Sequence, residues 1–383
     1  METLSLIKPL HLFKSAFSFD NSDAVQMQNL IHQQYEAALL KKYDDLKAYF
    51  LRSNSELYEA LIIAEQKIDS NELSVLLQIP EMSYLIRKFH LVDNKVVFES
   101  LVTAMNAIES KRLNSFNIEN YKSLWIPDGS FFIKYNSQIG QFTNFDSFKL
   151  LDIIPVDFFS PYCLKITNQD VNEPLSHTIT PYDFADIEEI CDLFENTVLP
   201  ILPFPGITNQ LTTYLKAIVI NRITNQGVVT NLVSGSDARF IGRTVISNVL
   251  LAEPEKIIEA FIHESIHSTL YMGDAIDAWL PTREETHQAG YSAISPWTGN
   301  RISISSIQEA IFVWYGIYKL WKIAYENQLY SSPKVERRLK FVSNGFEKLD
   351  IVRLATDNKF ILKDDFYDAV QKMKKNVVTE MIS

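Results

Sequence analysis

The chain has 383 residues, 46% hydrophobic and 22% charged, the profile of an ordinary globular protein with material for a large core. Its net charge of −11 and the lack of a long Lys/Arg run argue against a nucleic-acid surface, which needs a basic stripe. No run approaches the roughly 18–20 apolar residues of a membrane span, and residues 1–20 carry no long apolar signal core, so neither a membrane partner nor a signal peptide is expected. Two cysteines, Cys163 and Cys191, without CxxC or a Cys/His cluster, fit a reducing, cytoplasmic setting and read as small buried hydrophobes.

In chain order, residues 1–20 read as an irregular or partly extended lead-in. Asn21-Ser22-Asp23 starts a helix, and residues 24–52 run without Gly or Pro, with Met27, Leu30, Ile31, Tyr35, Ala38 and Leu39 at helical spacing. Ser53-Asn54-Ser55 breaks it, and a second helix runs to about residue 68. Further helices are predicted over 71–77, 81–89 and 95–110, so residues 1–120 form a helical region. His11, His32 and His90 are isolated there and read as packing or surface residues.

Residues 121–245 read as a mixed α/β region. β-rich runs at 130–135, 150–156 and 162–166 are separated by turn signals such as Pro127-Asp128-Gly129. Pro181-Tyr182-Asp183 opens an acidic helix through Leu199, and 199–205 is a proline-punctuated connector. Residues 214–223 and 227–233 read as adjacent strands, followed by the loop Ser234-Gly235-Ser236-Asp237. His177 reads as a loop histidine without a role. Neither GxxxxGK[ST] nor GxGxxG occurs, so no phosphate cradle is expected. Residues 246–383 read as a helical metal-binding region, with later helices from 307 to about 328, over 333–354 and over 363–382. The predicted fold class is α+β, mainly α.

Residues 255–273, EKIIEAFIHESIHSTLYMG, hold His263-Glu264-Ser265-Ile266-His267, an HExxH pattern. Pro254 suits the first helical position, Glu255 the positive end of the helix dipole, and Gly273 a C-terminal stop. Ile257, Ile258, Phe261, Ile262, Ile266 and Leu270 form an apolar stripe. On a helix the two histidines stand one turn apart on one face, where they can share a metal ion. Two satisfied core histidines are the alternative.

A catalytic metal needs a third protein ligand and open positions. Metzincin spacing requires Gly at 270 and His at 273, and Leu270 and Gly273 exclude that class. Downstream candidates are Asp274, Asp277, Glu284, Glu285, His287 and Glu309. Glu309 is preferred because it opens a very apolar helix, where a buried carboxylate wants a strong partner. The pattern Ser306-x-x-Glu309 is also a capping box, although Ser305-x-x-Gln308 offers an equal cap. His287 is the second choice. Glu259, one turn before His263, reads either as a group that orients an imidazole or as a solvated position.

Between the two helices lies Ser295-Pro296-Trp297-Thr298-Gly299-Asn300-Arg301. HExxH on a helix, an SPW-type loop and an apolar helix with a ligand-type residue near its start together resemble the HExxH family of 2-oxoglutarate-dependent peptide β-hydroxylases. Members modify ribosomally made peptides and were first taken for metallopeptidases. The similarity covers roughly residues 234–320, including Ile241-Gly242-Arg243. This chain departs twice from the family pattern: Thr298 replaces an arginine, and Glu309 stands where a histidine is frequent. The resemblance implies Fe(II) on His263, His267 and Glu309, open positions for 2-oxoglutarate and O₂, and a precursor peptide as substrate. It also implies an arginine for the far carboxylate of 2-oxoglutarate. Arg301 is the first choice, with Arg243 and Arg283 behind it, and Trp297 belongs to the same cosubstrate-binding segment. Glu264 then organises the surroundings of the metal.

The same residues support a gluzincin-like zinc metallopeptidase as an alternative. Zinc would lower the pKa of a bound water to about 7, Glu264 would be the catalytic base, and Tyr271 or His287 would stabilise the oxyanion. A metal-stabilised binding protein without turnover is a third reading, and it predicts a closed four-ligand site.

Overall fold

A computed structural model describes residues 8–19, 21–114, 123–136, 141–158, 177–225, 228–229, 231–279, 292–357 and 363–382. The fold is mainly α with small sheets. The first helices are α1 (Pro9–Ala16), α2 (Asn21–Ser53), α3 (Ser55–Glu65), α4 (Ser70–Gln78), α5 (Pro80–Arg87) and α6 (Asn94–Leu113). Strands β1 (Ser123–Trp125), β2 (Phe131–Asn136), β3 (Gln141–Asp146), β4 (Lys149–Leu150), β5 (Ile154–Asp157) and β6 (His177–Thr180) follow. Next come α7 (Phe184–Val198), α8 (Pro205–Tyr214), β7 (Ala217–Asn225), β8 (Val228–Val229), β9 (Val233–Ser236) and β10 (Arg243–Ser247). The chain closes with α9 (Pro254–Ile276), β11 (Ser292–Ile294), β12 (Arg301–Ser303), α10 (Ile304–Glu326), α11 (Ser332–Lys348), α12 (Ile351–Asp357) and α13 (Asp364–Ile382). Among the described residues no helix is long and apolar enough to cross a membrane.

Two compact units form, one from residues 1–35, 197–214 and 258–383, the other from 36–196 and 215–257. They are interleaved in sequence rather than consecutive, because segments distant in the chain pair in space. In the second unit β7 is the central strand of a mixed sheet ordered β4-β5-β7-β10-β9, with β6 and β8 also on β7. β7 runs parallel to β5 and β10. Its run Ala217-Ile218-Val219-Ile220 is buried, as a strand covered on both faces must be. A separate antiparallel meander joins β1, β2 and β3. Gly242, at φ +91°, leads into β10, and a Cβ there would stand 2.6 Å from Lys216 Cγ, so only glycine serves. In the first unit Phe13, Phe17, Trp279, Phe312 and Phe366 build an aromatic core.

Several expectations are corrected. Residues 9–16 are helical rather than extended, since Pro9 takes the first position and Leu10, Leu12, Phe13 and Ala16 are buried. The run 150–156 divides into β4 and β5, because Leu151 and Asp152 turn at positive φ. His177 lies in β6 rather than a loop, paired with Asn225. Residues 205–214 form α8, so the last residue of the expected connector and the first of the expected 214–223 strand are helical. Ser234-Gly235-Ser236 belongs to β9 and pairs with Thr244–Ile246. Helix α9 continues past Gly273, whose missing side chain admits Phe13: a Cβ there would lie 2.5 Å from Phe13 Cζ. The helix expected over 333–354 breaks between Lys348 and Ile351, where Asp350 Oδ1 accepts from Arg353 N at 3.0 Å. The run 162–166 lies outside the described residues.

Candidate functional site

Helix α9 buries its predicted stripe of Ile257, Ile258, Phe261, Ile262, Ile266 and Leu270 completely. Its rotation is held by a polar contact from α8. Gln210 Nε2 donates to Ser265 Oγ at 3.3 Å and Thr269 Oγ1 at 2.8 Å, while those hydroxyls donate to Ile262 O and Ser265 O. A buried amide with both donors committed fixes which face α9 turns outward. Sequence reasoning missed Gln210, since nothing local distinguishes it from a surface glutamine. His263 and His267 share a face as predicted, their ring centroids 5.0 Å apart, and His267 stacks on Tyr271 at 5.7 Å.

Helix α10 is capped by Ser303, whose Oγ accepts from Ser306 N at 3.1 Å. Neither Ser305 nor Ser306 is the cap, so Glu309 has no capping duty. Its buried carboxylate lies across from α9: Oε2 is 3.2 Å from His267 Nδ1 and accepts from Tyr271 Oη at 3.4 Å. Two ligands bound at about 2.1 Å on one metal ion stand roughly 3.0–3.4 Å apart, so this spacing suits a shared cation as well as an ion pair. Burial lowers the pKa of His263, which keeps its imidazole neutral near pH 7 with a lone pair to offer. Among the described residues no three His, Cys, Asp or Glu side chains close on one point as metal ligands would. The donor set fits a metal in kind and in the His267–Glu309 spacing.

An aromatic wall stands beside His263. Trp314, on α10, meets its ring edge-on at 6.3 Å and stacks on Trp297 at 6.0 Å. Trp297, from the SPW segment, donates Nε1 to Val342 O at 3.0 Å and fits against Gly345. Glu259 accepts from Trp321 Nε1 at 2.7 Å and Arg338 Nε at 2.8 Å, and Arg338 Nη2 also binds it. It thus joins α9, α10 and α11, instead of standing in solvent. Arg338 lies over the rings of Trp314 and Phe341 and is a second residue that sequence reasoning missed. Beside Arg337 it reads from the sequence as part of a solvated helix face, and that expectation is corrected by its pairing with Glu259.

The remaining candidates are spread out. Glu264 is 3% exposed. Arg243, in the other unit, is buried against Glu81 and lies 4.0 Å over the Phe240 ring, so its charge is already engaged. Desolvation outweighs that arginine and pushes Glu81 up to about 7. Arg301 is exposed, donates to Ser292 O and Oγ, and lines a shallow groove with Pro296, Lys348 and Arg353. His263, His267 and Glu309 are not in that lining. Asp274 accepts from Trp279 N, and Asp277 is exposed. Burial and acidic neighbours push the Cys191 thiol up to about 11, which removes it as a nucleophile. Cys163, Arg283, Glu284, Glu285 and His287 lie outside the described residues. No protein-family model and no curated protein matches the chain.

Proposed function

We propose that the chain is an Fe(II)/2-oxoglutarate-dependent hydroxylase acting at Cβ of a residue in a ribosomally made precursor peptide. The observation that carries this reading is the approach of Glu309 Oε2 to His267 Nδ1, which joins a carboxylate to the HExxH face. His263, His267 and Glu309 would hold the metal. Bound Fe(II) with open positions supplies the oxidative decarboxylation of 2-oxoglutarate, coupled to C–H hydroxylation. The protein's own residues prepare the site. Tyr271 binds Glu309 Oε2 and orients the carboxylate. The Trp314–Trp297 stack forms an aromatic wall on the His263 side of the pair. His267 and Glu309 side chains keep 18% and 11% exposure, enough for a cosubstrate to approach. Glu264, at 3% against 9% for Glu309 over the whole residue, is the more withdrawn carboxylate, which suits an organising role rather than a base. Of the expected cations for the far carboxylate, Arg301 keeps its guanidinium exposed, whereas Arg243 is taken by Glu81.

The gluzincin-like zinc peptidase shares the three donors and finds its own support in Tyr271, whose hydroxyl stands beside Glu309 as an oxyanion donor would. Anaerobic reconstitution with Fe(II), followed by O₂, 2-oxoglutarate and candidate peptides, separates the two. Metal-dependent succinate formation, lost in His267→Ala, is the expected result. Zinc-supported peptide cleavage without succinate would establish the peptidase instead.

A further inference from the structure

We propose that the Glu259–Arg338 ion pair positions the His263 ring, acting through the Trp314 indole. For its effect on a metal this inference rests on the reading above; the positioning itself does not.

Glu259 and His263 stand one turn apart on α9. A carboxylate so placed could orient the imidazole directly, but its oxygens are committed elsewhere. Oε2 accepts from Trp321 Nε1 at 2.7 Å and from Arg338 Nε at 2.8 Å, and Oε1 accepts from Arg338 Nη2. The guanidinium held in this way lies 5.6 Å from the Trp314 ring centroid and 4.8 Å from that of Phe341. Trp314 in turn meets the His263 ring at 6.3 Å with an interplanar angle of 82°. The contacts therefore leave α9 at Glu259, cross α11 and α10, and return to α9 at His263. A closed circuit of this kind fixes the indole relative to the helix that carries the histidine.

Each link suits the task. Two N–H groups on one carboxylate lock the plane of a guanidinium, which a lysine cannot reproduce. A cation so fixed over an indole holds that ring in place. Trp297 stacks on the same indole at 6.0 Å, and Phe341 meets it edge-on at 5.5 Å. Among the described residues no hydrogen bond holds the His263 ring, so its orientation is set by packing, and Trp314 is the packing partner that α11 controls.

The test uses the full chain and two readouts. In the metal-free protein the carbon-bound ring protons of His263 are followed by NMR, since the ring current of Trp314 sets their shifts. Calorimetry with Co(II) measures metal affinity. Arg338→Met keeps an apolar stem and loses the fork. Its His263 signals are expected to move toward those of a free histidine, and Co(II) affinity to fall about 10-fold, as when a residue that orients a ligand is lost. Arg338→Lys should recover only part of both. Glu259→Gln, which keeps the shape and loses the charge, should move both readouts the same way and serves if Arg338→Met does not fold. Lys319→Met breaks an ion pair between α10 and α13 in the same unit and should leave both readouts at wild-type values. Unmoved His263 signals in a folded Arg338→Met or Glu259→Gln, or equal movement in Lys319→Met, would overturn the proposal. Moved signals in a protein that binds no Co(II) would uphold the positioning and sink the metal reading instead.

Discussion

Glu309 Oε2 lies 3.2 Å from His267 Nδ1, and Tyr271 Oη donates to the same oxygen from one turn further along α9. Two residues of one helix thus converge on a carboxylate of another. The arrangement depends on the capping of α10 by Ser303, which leaves Glu309 inside the helix and free to face α9.

Glu309→Ala tests whether that carboxylate is a ligand. Loss of residues that only orient ligands weakens metal binding about 10–100-fold, so loss of a ligand is expected to cost about 100-fold or more. Anaerobic calorimetry with Fe(II), and separately with Zn(II), measures it. Wild-type affinity in the variant would place the third ligand elsewhere, with His287 next in line.

Gly345→Ala probes the wall beside His263. A Cβ at Gly345 would stand 2.0 Å from Trp297 Cδ1, so the indole must move. Overpacking of this kind costs about 1–3 kcal/mol. Because Trp297 stacks on Trp314 beside His263, metal affinity should fall together with the thermal midpoint. Lost stability with unchanged metal affinity would detach the SPW segment from the site.

Arg243→Met removes the cation that holds the Glu81 carboxyl down at about 7, so Glu81 takes up a proton at neutral pH, and the lost buried hydrogen bond is expected to cost about 1–3 kcal/mol. The double variant Glu81→Met/Arg243→Met should recover most of the loss, since a matched apolar pair removes both desolvation costs. Urea denaturation of both variants decides this. A double variant as unstable as the single one would assign Arg243 a further role.

Lys216 supplies a pH test. Burial lowers its pKa from 10.5 to about 8, partly countered by Glu36. Between those values the unfolded chain binds more protons, so stability rises with pH through the window; below pH 8 the cost is constant. Lys216→Met should therefore stabilise the protein at pH 7 by about 1–3 kcal/mol, and the gain should shrink toward pH 10.5. Urea midpoints at pH 7 and pH 10 measure it, and an equal gain at both would show that the fold does not lower the pKa of Lys216.

Much of the first unit's helical framework was legible. The stripe on α9 and the one-turn spacing of its histidines were visible because a helix relates residues three and four apart. Helix α10 was found from the same periodicity, with its start off by three residues because three serines compete for the cap. The partners of Glu259 were not legible: Trp321 and Arg338 approach from two other helices, and no local pattern marks either. Strand β9 was hidden for a similar reason, since Ser234-Gly235-Ser236 becomes a strand only by pairing with β10.

By itself, then, the sequence determined a mainly α chain with an HExxH helix and one preferred downstream carboxylate, because helical period and residue chemistry are local properties. Only the tertiary structure decided that Glu309 meets His267, that Arg243 is committed to Glu81 and that Glu259 joins three helices. Those are contacts between segments distant in the chain, selected by which faces pack together and which buried charges must find a partner.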